Sequence, residues 1–203
     1  MNLLHIDSSI LGDNSVSRAL SAATVSRLTR DNPEIVVTHR DLAAEPLPHI
    51  SGRTLAAGTA GLQLDQATLD DVALGGRILD EFLAADIVVI GVAFYNFSIP
   101  SQLKAWVDRI AIKGKTFQYS EKGAQGLVGG KRVILAIARG GLYGEGTPLH
   151  AFEHAESYLR AIFGFMGITA PEVVLAEGIN VSPEQREAST RAALDVIDEM
   201  RAA

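Results

Sequence analysis

Short apolar runs alternate along this chain with stretches in which apolar residues recur every three or four positions. Residues 3–6, 35–38, 87–92, 133–138 and 173–176 read as β-strands. The run 87–92 has no polar interruption, as a strand covered on both faces requires. Helical periods fill the gaps. The first follows Ser15 or Ser17, both good cap residues, and runs to about Leu28. The second opens on Thr68 and Asp71, spaced as a capping box, and Leu69, Val72, Ala73, Leu79, Phe82 and Leu83 then keep the helical spacing. Pro100 suits the first turn of a third helix, whose buried stripe is Leu103, Trp106, Val107 and Ile110. A fourth helix is expected over about 150–163. The last is signed by Ser182, Pro183 and Gln185 as N-cap, first and third positions, and continues to the C-terminus.

Strand and helix in alternation predict an α/β fold with helices on both faces of a parallel sheet. Five strands in this rhythm fit a flavodoxin-like three-layer sandwich of order 2-1-3-4-5. Two segments break the rhythm. Residues 40–67 contain Pro46, Pro48 and several glycines and form a surface excursion, longer than ordinary connections and of the kind that covers a site. Residues 113–130 hold Phe117 and Tyr119 among glycines and predict a hairpin. With 203 residues, 47% of them hydrophobic, one domain spanning 1–203 is expected.

Charge narrows the partners. Eighteen Lys and Arg stand against 24 acidic residues, for a net charge of −6, and no basic run or stripe marks a nucleic-acid or acidic-membrane surface. No cysteine is present, which removes disulfides, thiolate metal sites and thiol nucleophiles. The opening MNLLHI lacks the basic start and apolar core of a signal peptide, and no stretch has the length of a transmembrane helix. A soluble, cytoplasmic protein is expected.

Loops after the carboxyl ends of parallel strands open on one edge of the sheet, where such sheets bind ligands. Three loops of this chain stand out there. The first, around Ser8, Ser9, Ser15 and Ser17, places hydroxyls at a helix start, where free amides and the helix dipole favour an anion. Its serines are either a phosphate cradle or plain helix caps. The second contains Phe94, Tyr95, Asn96 and Phe97, which offer either a stacking surface for a flat ring or ordinary anchors on the core. In the third, after Ala138, Gly140 and Gly141 let the backbone approach a ring, and Arg139 meets either a ligand edge or a carboxylate.

Competing chemistries fail on spacing. Gly114-Lys115-Thr116 has Arg109 where a Walker loop needs glycine, and the first loop has only Gly12 toward a dinucleotide fingerprint. His150 and His154 match an H-x-x-E-H zinc motif at helical spacing, but Glu156 with Arg160 reads as a solvated ion-pair face, and no metal ligand is expected among the site residues. Asp7-Ser8 resembles the nucleophile position of a flavodoxin-like esterase, yet the last histidine, His154, lies too early to serve as its base. Ser101 and Lys104 keep Ser-x-x-Lys spacing without the partner motifs of penicillin-binding enzymes.

From Met1 to about Met200 the chain resembles the FMN-dependent NADH:azoreductases, quinone reductases of the flavodoxin-like superfamily. The resemblance is carried by Ser8-Ser9-Ile10-Leu11, Ser15-Val16-Ser17, Arg40-Asp41-Leu42-Ala43, Phe94-Tyr95-Asn96-Phe97, Gln102-Leu103-Lys104, Thr116-Phe117-Gln118-Tyr119, Arg139-Gly140-Gly141 and Ala176-Glu177-Gly178. It implies FMN, with Ser9, Ser15, Val16 and Ser17 at the phosphate, Phe94, Tyr95, Asn96 and Phe97 along the ring, and Ala138, Arg139, Gly140 and Gly141 at the pyrimidine edge. It further implies NADH or NADPH as co-substrate, quinones and azo compounds as acceptors, ping-pong kinetics and no catalytic side chain. A homodimer is implied too, with Phe117, Tyr119, Phe163 and Phe165 as candidate substrate-lining groups. Phe94 stands where the family often has Met, Ala138 where it often has Ser, and Val16 where Gln is frequent. The absence of a basic cluster for a 2′-phosphate favours NADH. The alternative is an FMN-binding electron carrier or flavin-linked regulator with poor NADH turnover.

Overall fold

Five parallel strands form the centre of the computed structural model, which describes residues 1–57 and 61–201. They are β1 (Asn2–Asp7), β2 (Val36–Asp41), β3 (Ile87–Ala93), β6 (Arg132–Arg139) and β7 (Glu172–Glu177), in spatial order β2-β1-β3-β6-β7. Counting parallel strands alone, this is the expected 2-1-3-4-5 topology. The two intervening strands, β4 (Phe117–Ser120) and β5 (Gly123–Gly126), make the expected antiparallel hairpin.

Side chains alternate across a strand, so each strand serves two cores. Leu4, Ile6, Val88, Ile90, Val92, Leu135 and Ile137 pack against α3 (Gln66–Ala84), α4 (Ser101–Ile110) and α5 (Glu156–Phe165). Leu3, Val89, Ile134, Ala136 and Val174 face α1 (Val16–Asp31) and α6 (Pro183–Glu199). β3 is buried at every position, in keeping with its unbroken apolar run.

Helix ends differ from expectation where a distant residue decides them. Ser15 caps α1, and Ser182 caps α6 with Pro183 at its first position, both as expected. Thr68 is not an N-cap. Asp65 holds that place and accepts the Thr68 N–H at 2.8 Å, while Asp71 turns to Arg109 at 2.7 Å. Pro100 is the N-cap of α4 and lies outside its first turn. The helix expected from residue 150 begins at Glu156, because the Glu153 carboxylate accepts the N–H groups of Ala155, Glu156 and Ser157 at 2.9, 2.8 and 3.0 Å and so caps α5. His150 lies in a preceding 3₁₀ turn, so His150 and His154 do not share a helix face.

The excursion after β2 contains the short helix α2 (Gly52–Leu55); residues 58–60 of the expected excursion lie outside the described residues. Leu42 and Leu47 sink into the core, and Pro48 O accepts from Arg109 at 2.7 Å. Ile50, Thr54 and Leu55 line a cleft against α3 and α4, away from the carboxyl edge of the sheet.

On the α1 side, the carboxyl half of β1 is polar. His5 and Asp7 are 7% and 5% exposed. Ser21 of α1 donates to Asp7 Oδ1 at 2.8 Å, and His39 Nε2 of β2 lies 3.0 Å from Asp7 Oδ2. Burial pushes the Asp7 carboxyl up, but hydrogen bonds from His5, Ser21 and His39 and the charge of His5 hold it below its ordinary value. Arg18 grips Asp41 through two bonds of 2.7 Å and donates to Ser9 O at 3.0 and 2.8 Å. Gly91 of β3 closes this group. A Cβ there would lie 2.7 Å from Asp7 Oδ1, 3.0 Å from Ser21 Oγ and 3.2 Å from Ser17 O, so a glycine interrupts an aliphatic strand because α1 approaches it closely.

Gly91→Ala lowers unfolding free energy by about 1–3 kcal/mol, read by urea denaturation, because its methyl meets fixed polar atoms. The Asp41 carboxyl is held at about 2 by the Arg18 hydrogen bonds, against the opposing effect of burial and with lesser help from the Ala44 and Ala43 amides. Its stabilising contribution is therefore present above the unfolded carboxyl pKa and fades as pH falls through the folded value. The melting-temperature gap between wild type and Asp41→Asn is expected to be widest above about pH 5 and to close toward about pH 2.

Candidate functional site

Three loops meet at the carboxyl edge of the sheet, and their contacts follow from the strands that carry them. After β1, the chain turns through Gly12 (φ +52°) and a 3₁₀ turn before Ser15 starts α1. The Ser15 hydroxyl accepts from Arg18 N at 3.3 Å and lies 3.1 Å from Ser17 Oγ. That leaves the first-turn amides of Val16 and Ser17 without an intrahelical acceptor, as at any helix start. Ser8 is committed elsewhere: its hydroxyl donates to Gly91 O at 2.6 Å. Ser9 reaches across to the second loop, with its hydroxyl 3.1 Å from that of Tyr95.

The loop after β3 is a tight reversal. Tyr95 and Ser98 exchange both backbone hydrogen bonds at 3.0 Å, and the two residues between them, Asn96 (φ 47°) and Phe97 (φ 72°), are both left-handed. This is a primed-turn geometry, natural for Asn and strained for Phe. Phe97 is held there by Phe152 and Tyr143, with ring centroids 5.0 and 6.2 Å away, and its carbonyl accepts the His154 N–H at 3.0 Å. Phe94 lies against Tyr143 at 4.6 Å.

After β6, Gly140 and Gly141 run beside the loop that follows β7. Asn180 N donates to Gly140 O at 2.9 Å, and Gly178 N to Gly141 O at 2.9 Å. A Cβ on Gly140 would lie 2.7 Å from Asn180 Nδ2, so the bare glycine lets the Asn180 side chain lie directly against this wall.

A narrow cleft is the result. Ser9, Ser15, Val16, Ser17, Phe94, Tyr95, Ala138 and Gly140 line it together, as the sequence reading groups them. Asn14, Ile179, Asn180 and Arg186 line it as well. Asn14 belongs to the first loop, Ile179 and Asn180 to the loop after β7, and Arg186 arrives with α6, its Nη2 reaching Asn14 O at 3.3 Å. Tyr95 also borders a neighbouring groove of ≈ 600 Å³, with Asn96, Ile10, Gln102, Lys104 and Tyr158. Burial, and secondarily the charge of Asp108, pushes the Tyr158 hydroxyl up to about 12, so that it stays neutral.

Six other expected residues lie elsewhere. Phe97 packs on Phe152, and Gly141 lies beside the Tyr143 ring. The Arg139 side chain is 2% exposed and points away from the cleft, to Glu156 at 2.7 Å, Glu153 at 3.3 Å and Glu177 at 3.5 Å. Phe163 is fully buried in the core between α5 and the sheet, so it lines no open cleft. Phe117 and Tyr119 sit on the hairpin, which joins the end of α4 to the start of β6. Because α4 runs back from the carboxyl edge, they stand at the opposite end of the sheet, with Phe117 against Phe165 at 4.5 Å.

A family model described as the Flavodoxin-like fold matches residues 1–200. The FMN-dependent NADH:quinone oxidoreductase of Methylorubrum populi is 55% identical over 203 residues, covering 100% of both chains. That of Xanthomonas campestris pv. campestris is 56% identical over 200 residues, 98% of each chain. The crystal structure of an FMN-dependent NADH-azoreductase from Bacillus anthracis str. Ames Ancestor in complex with FMN has a TM-score of 0.88 to this chain at 26% identity, covering 100% of both. With the same fold over its whole length and more than half its residues shared with such enzymes, this chain belongs to the flavodoxin-like family of FMN-dependent NADH:quinone oxidoreductases.

Proposed function

We propose that this chain is an FMN-dependent oxidoreductase that takes electrons from NADH and delivers them to quinones and azo compounds. The observation that carries the reading is the cleft itself, where a helix start rich in hydroxyls faces an aromatic turn and a glycine wall within one narrow space. The residues fit FMN at both ends. At one end, the amides of Val16 and Ser17 and the hydroxyls of Ser9, Ser15 and Ser17 form an anion cradle with Arg186 at its rim. At the other, Phe94, Tyr95 and Ala138 give a flat apolar surface, and the bare backbone at Gly140 allows close approach. The backbone around Arg139 to Gly141 would face the ring edge, with the Arg139 side chain acting only from beneath.

When bound, FMN supplies the two-electron chemistry between NADH and acceptor. The protein's part is positional. Tyr95 and Asn96 form the border between cleft and groove, where the nicotinamide and the acceptor would lie in turn, giving ping-pong order. Loop amides near Asn96, Gly140 and Gly141 would stabilise negative charge at the ring edge. The pocket is completed in a homodimer, in which Phe117 and Tyr119 of the hairpin are the candidates to cover the partner's site. The chain works as a single FMN-binding domain in the cytoplasm; among the described residues no helix is long and apolar enough to cross a membrane.

Purified protein is expected to bind one FMN, to lose its yellow colour on anaerobic addition of NADH and to regain it with menadione. Absence of FMN binding refutes the assignment, and binding without rapid bleaching identifies an electron carrier. The cradle has its own test in Ser15→Asp, which keeps a good helix cap but sets a carboxylate beside the anion site. Repulsion at about 4–5 Å should weaken FMN binding by at least about tenfold relative to Ser15→Asn, with the far-UV spectrum of both variants unchanged. Equal affinities would place the phosphate elsewhere.

A further inference from the structure

We infer that His5, Asp7 and His39 form a binding site for a divalent transition-metal cation of the zinc class, at the β1–β2 edge and outside the FMN cleft. Parallel pairing sets His5 directly opposite His39, and their ring centroids are 4.6 Å apart. Asp7, two residues on from His5, projects from the same face of β1. The three donor atoms lie within 4.8 Å of one another. Asp7 Oδ2 is 3.5 Å from His5 Nε2 and 3.0 Å from His39 Nε2. In a tetrahedral site with zinc–ligand bonds of 2.0–2.1 Å, ligand atoms stand about 3.4 Å apart. Two imidazoles and a carboxylate are thus already held near the spacing that such a cation imposes.

The donor set and its surroundings select the ligand. Two nitrogens and one carboxylate oxygen suit zinc, cobalt, nickel or copper better than calcium or magnesium, which prefer all-oxygen shells. Ser21 Oγ donates to Asp7 Oδ1 at 2.8 Å, leaving Oδ2 for the metal, the outer-shell arrangement that orients a ligating carboxylate; it also lies 3.0 Å from His5 Nε2, a contact that the ring would give up to the metal. Each ring would carry its proton on Nδ1 and present Nε2. His5 and Asp7 are buried, whereas the His39 side chain is 49% exposed and provides the entrance and a position for water. Arg18 Nη1 lies 3.8 Å from Asp7 Oδ2, but its charge is matched by the two-pronged pair with Asp41, so the cation does not face an unpaired guanidinium. A bound ion would clip the edge strand β2 to β1. Through Arg18, which holds Ser9 O, the clip would also brace the loop that leads to the cleft.

The site is tested on the full-length, FMN-loaded protein after chelator treatment, by titration with Co²⁺ followed in the visible region and with Zn²⁺ followed by calorimetry and melting temperature. One equivalent is expected to bind, with tetrahedral cobalt bands and a rise in melting temperature that follows metal concentration. His39→Gln, a change at an exposed ring, should weaken binding by at least about 100-fold and abolish the rise. His150→Gln should change neither. His5→Gln should behave as His39→Gln does wherever it folds. Failure to bind one equivalent, or retention of affinity within about threefold in His39→Gln, overturns the assignment.

Discussion

The carboxylate of Asp7, buried at the end of the first strand, is the constraint on which the site depends. An isolated charge there would cost several kcal/mol, so the structure must bring it partners. Ser21 supplies a hydroxyl from α1 and His39 an imidazole from β2, and each partner fixes the element that carries it. Ser21 lies one turn beyond Ser17 on the inner face of α1, so seating Ser21 against Asp7 also sets the height of the helix start. Arg18 adds a second fastening, tying the same helix to Asp41 and to the carbonyl of Ser9. The cradle at the amino end of α1 is therefore positioned by a polar network on its flank.

The walls of the cleft are fastened to one another in a similar way. Ser9 and Tyr95 join the first loop to the second through their hydroxyls, Phe94 N bonds Ala138 O between the second and third, and Asn180 N bonds Gly140 O between the third and the loop after β7. The left-handed pair Asn96–Phe97 costs about 1–2 kcal/mol at Phe97, and that strain is held by ring packing on Phe152 and Tyr143. A turn of Gly at both positions would be free of the strain and also free to move. The Asn96–Phe97 pair trades a small loss of stability for a loop that keeps Tyr95 in one place.

Most of the architecture was legible because it rests on local pattern. The unbroken apolar run of β3 announces a strand buried on both faces, and Ser182-Pro183 announces the start of α6 by its own capping chemistry. Errors fell where a partner distant in sequence decides. Asp71 has the spacing of a capping-box residue after Thr68, but Arg109 claims it, and Asp65 takes the cap. Residues 150–163 keep helical spacing, yet Glu153 folds its carboxylate onto three amides and starts the helix later. The cleft was partly legible for the same reason. Loops that directly follow strands can be located from sequence, whereas Arg186 reaches the site through the packing of α6, Asn180 through its pairing with Gly140 across two loops, and Phe163 looks like a pocket aromatic until the core closes over it.

Arg139 shows why a loop residue with the right address need not touch a ligand. Its guanidinium is buried among Glu153 and Glu156 at the start of α5 and Glu177 at the end of β7. A planar fork can answer that arrangement where a lysine could meet only a point of it. Glu153 in turn caps α5, and Glu177 accepts the Tyr143 N–H at 2.8 Å, so one side chain ties β6 to the helix, to β7 and to the glycine loop above it. The charge of Arg139 helps to hold Glu153 below its ordinary carboxyl value, although burial opposes this and the Glu156 and Ser157 amides contribute more. With its charge more than matched from below, the guanidinium has little left to offer a ligand. What the loop presents to the cleft is backbone, and the buried ion cluster is what keeps that backbone still.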